Sequence, residues 1–120
     1  MKLLPIITKL PLLKRFVPSL IRRIFLSLGK HDIDYNFKGI QLTLDIRDSL
    51  DRKILFSNEY EDQQISFLFN NLKKFNITHF IDVGANMGIY SLLIANKFRN
   101  IQISSFEPHP GVFKRLKKNI

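Results

Sequence analysis

Apolar and polar residues alternate with a period of two along the first part of the chain. Ile33, Tyr35 and Phe37 alternate with polar neighbours, Lys38-Gly39 permits a turn, and Ile40, Leu42, Leu44 and Ile46 alternate with Gln41, Thr43 and Asp45. Strand side chains point to opposite faces in turn, so the pattern predicts a β-hairpin over 33–46 with one wet face. The period then changes. Ile65, Leu68, Phe69, Leu72 and Phe75 recur at helical spacing, which predicts a helix over 59–75 with one apolar face. Glu59, Glu61 and Asp62 suit its positive end, and Lys73 and Lys74 its negative end. His79-Phe80-Ile81-Asp82-Val83 is a short β-branched and aromatic run and reads as a buried strand. From Ile89, apolar residues fall at Ile89, Leu92, Leu93 and Phe98, again at helical spacing. Ile101–Phe106 reads as a second strand, and a further helix starts over 109–120. The reading from 79 to 107 is therefore a βαβ unit, placing the chain in the α/β class.

Residues 1–31 differ from the rest. Leu, Ile, Phe and Val are mixed with cations, and Pro5, Pro11 and Pro18 argue against one long helix. Ser19 is placed to cap a helix running to about Leu28, with Gly29 as its stop and Ile21, Ile24, Phe25 and Leu28 on one face. The expected role of this basic amphipathic leader is packing on the domain that follows. Resting on an anionic membrane surface through residues 1–30 is the alternative.

The junction between the first strand and its helix carries the candidate chemistry. Asp82 ends the strand, Gly84-Ala85-Asn86-Met87-Gly88 makes a small-residue loop, and a helix opens at Ile89. Glycines let a ligand approach the backbone, and a helix start offers amide N–H groups and a positive dipole end. Glu107 ends the second strand, 25 positions after Asp82. In a βαβ unit an acid there can accept both hydroxyls of a ribose. A dinucleotide loop of the Gly-x-Gly-x-x-Gly kind would need glycine where Asn86 and Ile89 stand, and the P-loop's Gly-Lys-Ser/Thr is missing.

Asp-Val-Gly-Ala-Asn-Met-Gly-Ile-Tyr-Ser, followed by Phe-Glu-Pro-His-Pro, resembles the FkbM-type family of S-adenosylmethionine-dependent methyltransferases. Phe113–Ile120 is also similar to the helix after that family's second strand. The resemblance is dense over about 81–120 and weaker over about 40–75. It implies the N-terminal portion of a Rossmann-like class I methyltransferase sheet, here preceded by the hairpin and the basic helical leader. It also implies S-adenosyl-L-methionine as cofactor. Asp82, Gly84, Ala85, Asn86, Gly88, Tyr90 and Ser91 would belong to the segment around its methionine part. Glu107 would hold the ribose, and Pro108 and His109 would lie near the adenine. The implied reaction is methyl transfer to a hydroxyl of a small molecule, a sugar or secondary metabolite. The family's later strands and acceptor pocket have no counterpart among these residues. The expectation is thus an incomplete domain over 32–120, an N-terminal fragment carrying the cofactor half and inactive alone. A non-catalytic interaction fragment is the competing expectation.

Composition narrows this further. Eleven Phe and 45% hydrophobic residues in 120 suit one modest core. The absence of Cys removes disulfides and thiolate metal sites. Of the net charge of +9, residues 1–31 hold +7 without a single acid. The basic character therefore belongs to the leader, and no aromatic–basic interleaving points to nucleic acid. Asp45, Asp48 and Asp51 read as solvated turn and helix-start acids, since no metal-loop glycine or closing Glu follows. Asn76-Ile77-Thr78 fits a glycosylation sequon but abuts a strand expected to be buried, so it reads as chance. His31 and His79 read as ordinary surface or packed residues. The expected location is cytoplasmic, with peripheral membrane contact as the variant.

Overall fold

The hairpin forms where two consecutive residues accept positive φ. Lys38 (φ 48°) and Gly39 (φ 89°) join β1 (Asp32–Phe37) to β2 (Ile40–Asp45). Two positive φ values in a two-residue turn match the strands' right-handed twist. As the alternation predicts, Ile33, Phe37, Ile40, Leu42, Leu44 and Ile46 are buried. Removing each from water stabilises the fold by about 1.5–3 kcal/mol.

The computed structural model describes residues 11–120, and side chains from Phe16 onward. The expected break at Pro5 lies outside the described residues. Among those described there are five helices and two separate two-stranded sheets. Two compact units divide the chain, one comprising the residues up to Phe37 with Leu42–Tyr60, the other Lys38–Gln41 with Glu61–Ile120.

In the first unit, α1 (Pro11–Ser27) corrects the expectation of a helix capped by Ser19. It runs through Pro18, which removes one helical hydrogen bond at a local cost of about 3 kcal/mol without ending the helix. Gly29 does stop the helix. At φ 65° its N–H donates to the Leu26 carbonyl, and the Lys30 N–H to that of Phe25. The predicted packed face is only partly packed. Ile21 and Phe25 are half-buried, whereas Ile24 and Leu28 are exposed.

The sequence periodicity did not reveal α2 (Ser49–Ser57). Asp48 caps it, accepting from the N–H groups of Leu50 at 2.8 Å and Asp51 at 3.3 Å. Asp51 is not solvated as expected. It is fully buried, and its Oδ2 accepts the Asp45 N–H at 2.6 Å. A carboxylate one turn into a helix can reach back and satisfy the end of a preceding strand, which spacing alone does not reveal.

In the second unit, α3 (Asp62–Lys74) starts three residues later than predicted, because Glu61 takes a left-handed conformation (φ 40°). Ile65 and Leu72 are buried, while Phe75 falls past the helix end and is exposed. Asn76, at φ 50°, supplies the stop, with the Ile77 N–H reaching the Leu72 carbonyl. The predicted strand–helix–strand follows as β3 (His79–Val83), α4 (Ile89–Lys97) and β4 (Gln102–Phe106), with α5 (Pro110–Asn119) after it. β3 and β4 are parallel neighbours in the register Asp82 with Ser105 and Val83 with Phe106. The expectation of a buried first strand is corrected. Only one face of the pair is partly covered, and Ile81, Val83 and Phe106 on the other are exposed.

Candidate functional site

The strand ends and the loop between β3 and α4 are tied together by β4. The Phe106 carbonyl accepts the N–H groups of Gly84 at 2.8 Å and Ala85 at 2.9 Å. The Glu107 carboxylate then bridges two segments, taking the Asn86 N–H on Oε2 and the His109 N–H on Oε1, each at 2.9 Å. Gly88 donates to the Ala85 carbonyl at 2.8 Å. Four loop amides that the sequence left open to a ligand are thus used to shape the loop, because a short connection must satisfy its own polar groups where the sheet continues beneath it.

Three residues of the loop need left-handed backbone: Gly84 at φ 78°, Asn86 at 51° and Gly88 at 90°. The two glycines differ in surroundings. A Cβ on Gly84 would meet nothing within 4 Å, so the backbone there is open to approach. A Cβ on Gly88 would stand 2.7 Å from Leu116 Cδ1. Gly88 therefore lets α5 close against the loop, a contact reinforced by the Asn119 side-chain amide donating to the Met87 carbonyl at 2.9 Å.

Asp82 and Ser91 meet on the covered side of the strands. The Ser91 hydroxyl donates to Asp82 Oδ2 at 2.6 Å and stands 2.7 Å from Ser105 Oγ. Ser91 is buried, so it orients Asp82 from beneath the loop rather than facing outward. Tyr90 is half-buried, and its hydroxyl donates to the Glu61 carboxylate. Ala85 is buried, while Asn86, Pro108 and His109 are exposed along one rim with half-buried Glu107.

His109 has a structural role that the sequence reading missed. Its Nδ1 accepts the Val112 N–H at 3.3 Å and caps α5, with Pro110 in the first turn. Proline directly after a polar residue was the available signal. The Glu61–Tyr90 bond spans 29 residues and left no local signal.

No family model matches the chain. No curated protein and no solved structure matches it either.

Proposed function

We propose that the second unit is the cofactor-binding part of a Rossmann-like, FkbM-type S-adenosylmethionine-dependent methyltransferase, acting on a hydroxyl of a small molecule such as a sugar. The observation that carries this reading is the Glu107 carboxylate at the end of the second parallel strand, bonded to Asn86 in the glycine loop that follows the first. The acid and the loop form one rim, as a ligand with a ribose and an amino-acid end requires.

The backbone at Gly84 is open to the approach of such a ligand, since a Cβ there would meet nothing within 4 Å. When bound, S-adenosylmethionine supplies a methyl group already activated on a sulfonium. Each Glu107 oxygen takes one N–H and retains a lone pair for a ribose hydroxyl. Pro108 and His109, both exposed beyond it, would border the adenine. Gly84 and Asn86 would border the methionine part, and Asp82, held by Ser91, would fix the loop from below.

Titration calorimetry with S-adenosylmethionine tests this on the wild type and on Glu107→Ala. Binding by the wild type, weakened at least about tenfold by the substitution, is expected, because hydrogen bonds to a charged group contribute about 1.5–3 kcal/mol each. No heat from a wild type that circular dichroism shows to be folded would overturn it.

A further inference from the structure

We propose that α1 is an interfacial helix whose exposed side rests on an anionic lipid surface. Phe16, Leu20, Ile24 and Leu28 follow one another at intervals of four residues and are 68%, 60%, 48% and 65% exposed. Residues four apart lie on one side of a helix, so these four make a continuous apolar stripe about 18 Å long. The half-buried Val17, Ile21 and Phe25, each one residue on from a member of the stripe, lie along its flank and carry the packing. The stripe is therefore surplus to the packing of the helix.

Charge selects the occupant. Arg23, three residues after Leu20 and seven after Phe16, borders the stripe and is exposed, as are Arg22 and, just past the Gly29 stop, Lys30. Residues 1–31 contain seven cations and no acid, whereas the other 89 carry only +2. An apolar stripe bordered by Arg23, on a helix without a single acid, is complementary to a bilayer surface, whose acyl boundary takes the stripe and whose anionic headgroups attract the cations. A nucleic acid would match the charge and leave the four apolar side chains in water. No helix among the described residues is long and apolar enough to cross a membrane, so the contact is one of lying along it.

The test is co-sedimentation of the full chain with vesicles of phosphatidylcholine, with and without phosphatidylserine, at low and high salt. Binding at least about tenfold stronger to the anionic vesicles, and weakened by salt, is expected. Phe16→Ser with Leu20→Ser should lower that binding about tenfold, and Arg22→Gln with Arg23→Gln should reduce the preference for phosphatidylserine, five of the seven cations of residues 1–31 remaining. These side chains are exposed, and a circular dichroism spectrum unchanged in both variants checks that the fold is kept. Equal partition onto both vesicle types, or full binding by the serine variant, would overturn the proposal. So would vesicle-independent dimerisation in sedimentation equilibrium that Leu20→Ser abolishes, since a second copy would then be what covers the stripe.

Discussion

Ser91 donates its hydroxyl to the Asp82 carboxylate at 2.6 Å, across nine residues and from the first turn of one helix to the end of the preceding strand. The serine is buried, so water is poorly placed to replace it. Ser91→Ala should destabilise the protein by about 1–3 kcal/mol, the cost of a half-buried carboxylate losing its donor. Urea denaturation measures this. Because Ser91 lies beneath the loop, any affinity for S-adenosylmethionine should fall less than in Glu107→Ala. A larger fall would place Ser91 in direct contact with the ligand.

The two loop glycines should respond differently to alanine. Both have positive φ, so each substitution carries backbone strain of about 1–2 kcal/mol. At Gly88 the new methyl also meets Leu116 Cδ1, adding a packing cost, whereas at Gly84 it meets nothing. Gly88→Ala should therefore lower the urea midpoint further than Gly84→Ala. Gly84→Ala should be the more damaging to ligand binding, because its methyl points into open space. Equal stability losses would mean that α5 yields without cost.

His109 separates capping from contact. His109→Ala removes the acceptor for the Val112 N–H and should cost about 0.5–1 kcal/mol, the low end for a cap given the 3.3 Å bond. His109→Asn supplies another capping oxygen and should restore most of that loss in thermal melts. If the imidazole borders an adenine, asparagine will restore stability without restoring affinity.

Burial raises the Tyr35 phenol above its ordinary value of 10.0, and its hydroxyl donates to Asn58 Oδ1 at 3.1 Å. The folded chain holds this proton more tightly than the unfolded one. Its contribution is therefore fully present below the unfolded value and is lost as pH rises through the folded one. Tyrosinate absorbance in Tyr35→Phe should lack a component titrating above the ordinary range, and stability should decline less steeply with pH than in the wild type.

Much of the element order was legible because periodicity is a local property. The alternation from Ile33 to Ile46 produced the hairpin, and the spacing of Ile65, Leu68, Phe69 and Leu72 produced α3. Asp82 and Glu107 likewise fell at the ends of neighbouring parallel strands, as their positions after two β-branched or aromatic runs implied. Other features were not legible. Nothing near Pro18 says that a helix survives it, and α2 is too short for its period to stand out beside the three aspartates before and within it.

The sequence by itself determined the strand–loop–helix–strand unit, the small residues of its loop, the two acids at the strand ends and the segregation of charge into residues 1–31. These depend on side-chain type and spacing along a few turns. Only the tertiary structure decided which partner each polar group has: Ser91 for Asp82, Asn86 for Glu107, the Asp45 amide for Asp51. It also decided which apolar side chains stay in water, Ile81 and Val83 on the sheet and Phe16 and Leu20 on α1. Both outcomes depend on which distant elements come to lie against a surface, and a periodic pattern encodes that a face is apolar without encoding what covers it.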